Sequence, residues 1–164
     1  MPSIKYNSKA EPLVFELLPE GDYCFEIVGF DLGISTGGKT KGDDQMELKV
    51  AIFKDATFTK KLAQWTENFQ FSKSVEWKIE LFAKCSGITI GGRIPNDGEE
   101  IEFTEDTVLG LRGHCTVHQN EYTPAGSSEK KKNNRVSVWI TNKGTIPRNT
   151  PAPKVEGEKE VLPF

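Results

Sequence analysis

The sequence predicts a mainly β protein: a five-stranded Greek-key barrel with one helix between its third and fourth strands and a disordered C-terminal tail. Two observations carry that expectation. The first is a change of period within residues 59–87. Ala63, Trp65, Phe69 and Phe71 alternate with Lys60, Gln64, Thr66, Asn68 and Gln70, the period-2 signature of a half-buried strand. From Ser72 onward Val75, Ile79, Phe82 and Cys85 recur at helical spacing instead. The second is the order around that stretch, with two strand-like segments before it, two after it and no other long helical pattern. One helix inserted after a third strand is the order of a small barrel whose helix plugs an open end.

Residues 1–18 have mixed composition and read as an N-terminal arm, with an apolar patch at Leu13, Val14, Phe15, Leu17 and Leu18. Pro19-Glu20-Gly21-Asp22 is a turn signal that opens the folded domain, residues 19–141. In the first strand, 23–32, Tyr23, Phe25 and Ile27 alternate with Cys24, Glu26 and Val28, and Gly29 marks a bend or bulge. A loop covers 33–45. The second strand, 46–53, places Met46, Leu48, Val50 and Ile52 inward and Glu47, Lys49, Ala51 and Phe53 outward. After the third strand, Ser72 or Ser74 is available to cap the helix and Gly87 to stop it. Residues 88–106 are rich in glycine and acids and read as irregular, with a short turn at 107–110. The fourth strand, 111–118, sets Leu111, Gly113, Cys115 and Val117 against Arg112, His114, Thr116 and His118. A polar loop ending in Lys130-Lys131-Lys132 leads to the fifth strand, 135–140, with Val136, Val138 and Ile140 inward and Arg135, Ser137 and Trp139 outward. Pro147, Pro151 and Pro153 among charged residues make 142–164 a disordered tail.

A chain of 164 residues suits one domain with tails, and 36% hydrophobic residues are enough for a barrel core. The net charge of -3 gives no general attraction to polyanions, so nucleic-acid contact has to come from local clusters of Lys and Arg. Cys24, Cys85 and Cys115 are odd in number, contain no CxxC and follow no leader-like segment, which points to reduced, buried thiols in a cytoplasmic protein. No apolar run reaches the roughly 18 residues of a spanning helix, so no membrane role is expected.

Three patterns invite chemistry that the surrounding sequence does not support. Gly33 to Thr40, GISTGGKT, matches the phosphate-loop pattern GxxxxGK[ST]. A phosphate loop needs the N-terminus of the helix it opens, and here a strand pattern follows, so a Gly-rich loop is expected and no nucleotide cofactor. His114 and His118 lie opposite Cys115 in strand alternation, which argues against a metal or thiol site. Asp97, Glu99, Glu100 and Glu102 read as a solvated loop. No catalytic residue is assigned.

The residues that point to a binding function are the outward set. Lys49, Phe53, Arg112, His114, His118, Arg135 and Trp139 lie on strands, and Lys39, Lys41, Lys60, Tyr122, Lys130, Lys131 and Lys132 lie on loops or strand ends. Sequence-tolerant single-strand binding needs cations that track phosphates and aromatic faces on which bases stack. For Trp65, Phe69 and Phe71 the same alternation fits core packing and base stacking alike, and both readings stand. The chain closes on Glu156-Gly157-Glu158-Lys159-Glu160-Val161-Leu162-Pro163-Phe164. Glu158, Glu160, Pro163 and Phe164 would let a mobile arm dock on a partner with an apolar pocket beside a basic one. This run resembles the acidic tip, ending Pro-Phe, of bacterial single-stranded-DNA-binding proteins.

LLPEGDYCFEIVGFDLG, MELKVAIF, SVEWKIELFAKCSG and LRGHCTVH together resemble the family of phage-encoded single-stranded-DNA-binding proteins over roughly residues 17–140. The resemblance implies an OB fold, sequence-nonspecific binding of single-stranded DNA in phage replication or recombination, and replication or recombination proteins as partners of the tail. It implies the bacterial host cytoplasm as the location and leaves room for a homo-oligomer. The alternative on the same residues is an OB-type scaffold that binds proteins and no nucleic acid.

Overall fold

Each alternating segment forms a strand in the computed structural model, which describes residues 2–8, 17–36 and 42–149. The strands are β1 (Gly21–Ile34), β2 (Asp44–Phe53), β3 (Lys61–Gln70), β4 (Arg112–Tyr122) and β5 (Lys131–Ile140). They pair antiparallel in one sheet of order β3-β2-β1-β4-β5. Helix α1 (Glu76–Ser86) and the one-turn α2 (Glu105–Val108) lie between β3 and β4. The protein is therefore mainly β, and its backbone ladder ends at β3 and β5. No helix among the described residues is long and apolar enough to cross a membrane.

One apolar core is shared by all five strands and both helices. Phe25, Ile27, Met46, Leu48, Val50, Ile52, Phe69, Cys115 and Val117 point into it from the strands, as their alternation predicts. Ile79, Phe82 and Cys85 point into it from one stripe of α1. Gly87 ends that helix at φ 65°, the left-handed conformation that favours glycine. Its start differs from expectation: Val75 is the N-cap and makes no side-chain cap. Ser72 instead donates to Asp43 Oδ2 at 2.5 Å, tying the end of β3 to the β1–β2 connection.

Two bulges decide which side chains reach the core. In β1 the register passes from Ile27↔Val50 to Gly29↔Lys49, so Val28 has no partner across the strand pair. Glycine is required at the next position, because a Cβ on Gly29 would come within 2.8 Å of the Lys49 side chain. In β5 the register passes from Val136↔Val117 to Val138↔Thr116, leaving Ser137 as the extra residue. One inserted residue reverses the faces beyond it. Val138, expected inward, is 49% exposed, and Trp139, expected outward as a stacking residue, is 4% exposed. Trp139 is the centre of the aromatic core, with ring centroids 5.0 Å from Phe25, 5.1 Å from Phe82 and 5.6 Å from Phe69. Cys24, which alternates with Tyr23, Phe25 and Ile27 yet was expected among the buried thiols, is buried, with its Sγ 3.7 Å from His114 Nδ1. Ala51 is buried as well, a short side chain paired between the longer Glu26 and Gln64.

The segment after β5 is more ordered than a tail from residue 142 onward. Lys143 pairs with Asp22 at 3.1 Å, and Ile146 bridges to Arg112. Arg148 donates to the carbonyls of Leu109 and Asp106, and the Asn149 amide donates to Gly110 O. Residues 143–149 thus extend β5 as a strap along β4 and α2.

Replacing Trp139 with alanine removes the ring that three other aromatics pack on, so a loss of about 3–5 kcal/mol is expected. Urea or guanidinium unfolding of the two proteins measures it. A change within about 0.5 kcal/mol, typical of a surface position, would contradict the assignment of Trp139 to the core.

Candidate nucleic-acid interface

The two sheet edges, β3 and β5, are bridged by side chains. Arg135 Nη1 donates to Thr66 O at 2.8 Å. Glu67, which strand parity turns inward and which is 3% exposed, accepts from the Val136 amide at 2.9 Å and from Trp65 Nε1 at 2.6 Å, both at Oε2. Its other oxygen lies 4.0 Å from Lys78 Nζ of α1, an ammonium that also sits 5.0 Å from the Phe69 ring centroid. One buried carboxylate therefore meets an edge amide, an indole and a cation from three different elements.

Beside these bridges lies a groove of about 440 Å³. Ala63, Gln64, Trp65 and Thr66 line it from β3, Lys132 and Arg135 from β5, and Leu17 from the arm. The arm enters here because Asn134, itself buried, clamps Leu18. Its Oδ1 accepts from the Leu18 amide at 2.8 Å, and its Nδ2 donates to Leu18 O at 3.0 Å. Trp65 is half-buried and packs against the core edge, and its indole is fixed by Glu67. Trp65 thus sits at the boundary between the core and the groove. Phe69 is wholly in the core, and Phe71 lies past the end of β3, packed on Phe103 at 5.9 Å.

Trp65, Lys132 and Arg135 are thus brought together from the predicted set. Lys130 is exposed on the adjoining β4–β5 connection and Lys131 at the start of β5, where it pairs with Tyr122 across the ladder. Among the described residues, none of Lys49, Lys60, Lys130, Lys131 and Lys132 lies in an ion pair, the four that form being those of Lys78, Arg93, Arg112 and Lys143. Glu121 stands opposite Lys132 and places one acid at the rim. Lys49 lies across Thr66 in a second groove of about 310 Å³, where Asp31 and Glu47 oppose it. Phosphate is poorly received there.

Arg112 and Phe53 do not join this groove. Arg112 Nε donates to Glu26 Oε1 at 2.8 Å, and its guanidinium lies 3.9 Å from the centroid of Phe58. Phe53 packs edge-on against Phe58, 5.1 Å away. The predicted outward set is corrected on two points: Trp139 is core, and Arg112 with Phe53 forms a separate cluster. Lys39 and Lys41 lie outside the described residues, as do Glu158, Glu160, Pro163 and Phe164. Gly33 and Ile34 of the phosphate-loop match lie in β1, its residues 37–40 lie outside the described residues, and β2 begins at Asp44. Among the described residues no group of three or more His, Cys, Asp and Glu side chains could hold a metal ion.

Glu67 and Asn134 beside the groove, and Phe58 in the separate Arg112 cluster, are residues that sequence reasoning did not single out. Glu67 was detectable, because it occupies the inward parity position between Trp65 and Phe69. No family model matches the chain and no curated protein matches it.

All three thiols are buried, and burial disfavours their thiolate forms. Burial pushes Cys85 up to about 12, and its Sγ lies 3.2 Å from His114 O. Burial, with the neighbouring thiols, also raises Cys115 well above the ordinary thiol value, and burial raises Cys24. Because the folded state holds these thiols protonated above the ordinary value of 9.0, their contribution to stability is complete below pH 9. It is lost as pH rises toward 12. The native protein is expected to resist iodoacetamide at pH 8 and to react at three thiols once unfolded. Rapid alkylation of the native protein, read by mass spectrometry, would contradict this.

Proposed function

We propose that this protein binds single-stranded DNA without sequence readout, in the groove between the β3 and β5 edges and along the Lys130–Lys132 run. The observation that carries the reading is the convergence of Trp65, Lys132 and Arg135 on one groove, with exposed lysines continuing from it. The ring offers a face to a base, and the cations offer partners to phosphates. The strand order and the side-chain bridges between β3 and β5 favour an OB-type barrel whose seam is closed by Glu67 and Arg135 rather than by a ladder. The resemblance of the LPEGDY turn, the strands and the helix to phage single-stranded-DNA-binding proteins supports the same function. On that reading the protein acts on DNA in replication or recombination in a bacterial host cytoplasm. The acidic and apolar run 156–164 recruits partner proteins.

Titration with oligo-dT against duplex of equal length, at several salt concentrations, tests the proposal. The wild type is expected to prefer the single strand. Replacing Lys130, Lys131 and Lys132 together with alanine is expected to weaken binding and to flatten the slope of log K against log salt by about 0.7 for each phosphate no longer neutralised. Equal binding by both proteins at all salt concentrations would remove the lysine run from the site. Indifference of the wild type to any oligonucleotide would favour a protein-binding scaffold.

A further inference from the structure

Phe58 has the only positive φ among the described non-glycine residues, at 52°. A bulky residue is disfavoured in that region, whereas glycine occupies it freely. The turn that produces it is built locally. Asp55 Oδ1 accepts from the Thr57 amide at 3.0 Å and from Thr57 Oγ1 at 2.5 Å, and the Phe58 amide donates to Asp55 O at 3.3 Å. Nothing in this hydrogen bonding calls for an aromatic side chain. Nor does the core, because Phe58 is no part of the buried cluster and remains only half-buried.

The ring is nevertheless held in place. Arg112 stacks on it at 3.9 Å and is itself fixed by Glu26, while Phe53 packs against it at 5.1 Å. A strained residue that the surroundings over-determine without serving the core is a candidate for function. Its neighbours match the chemistry of the groove. Lys54 and Lys60 are exposed on the same loop and in no ion pair among the described residues. The loop runs into β3 at Lys61, whose Nζ donates to the groove-lining Gln64 at 2.8 Å.

We propose that Phe58 is a second base-stacking platform, and that a bound single strand runs from the Trp65 groove past Lys61 and Lys60 to the β2–β3 loop. This rests on the single-strand reading above. Because Arg112 and Phe53 already hold the ring, a base stacks on it with little further loss of side-chain freedom.

The decisive variant is Phe58→Gly, which removes the ring and the backbone strain together. Its melting temperature is expected to equal or exceed that of the wild type, while affinity for a long oligo-dT falls at least about fivefold, the lower end of what one stacked base contributes. Phe58→Tyr, which keeps the ring face, is expected to bind as the wild type does. Phe58→Leu, which keeps an apolar side chain without the ring, is expected to bind like the glycine variant and serves if glycine there does not fold. Unchanged affinity in Phe58→Gly or Phe58→Leu overturns the platform and leaves the groove untouched. A wild type that binds no oligonucleotide overturns the single-strand reading itself.

Discussion

Glu67 is where the sheet, the helix and the groove meet. Its carboxylate is removed from water, yet each of its contacts comes from a different element: the Val136 amide on β5, the Trp65 indole on β3 and the Lys78 ammonium on α1. A buried carboxylate is tolerated only when its lone pairs are occupied, and hydrogen bonds to a charged acceptor are stronger than neutral ones. Removing it would leave the Val136 and Trp65 donors unpaired inside the protein, at about 1–3 kcal/mol each. Arg135 adds a second bridge to Thr66 O nearby. These contacts hold β3 and β5 together where no ladder does.

That manner of joining also explains why there is a groove. Two strands in full register would bring their backbones to about 4.8 Å and leave no space between them. Side-chain bridges hold the edges without closing the gap, and the arm fills only part of it through Leu17. The ring of Trp65 is fixed by the same carboxylate that joins the edges. Stability and the proposed base contact therefore share one residue, and a substitution at Glu67 should disturb both.

All five strands and α1 were legible because period-2 alternation and a 3.6-residue stripe survive intact in most of the chain. Gly29 announced its bulge, since the residue there has to admit the Lys49 side chain. Ser137 announced nothing. It has a side chain, no unusual turn chemistry and neighbours that alternate perfectly, so the reversal that buries Trp139 comes from pairing with β4 and not from local sequence. The inward parity of Glu67 was legible, but its bond to the Val136 amide, 69 residues away, was not. The strap at 143–149 is likewise held by contacts to Asp22, Leu109 and Gly110 that no local pattern encodes. At the interface, the residue types were visible and their grouping was not. Arg112 looks like any outward cation until Glu26 and Phe58 are seen to occupy it.

Amide hydrogen exchange at Val136 bears most directly on the Glu67 bridge. In the wild type this amide is expected to be protected like the ladder amides of β4 and β5. In Glu67→Ala its protection should fall toward that of an exposed edge, while the Ile27 amide, bonded to Leu111 O, keeps its protection in conditions where the variant stays folded. Undiminished protection at Val136 in the folded variant would mean that the two edges are held together by something other than this carboxylate.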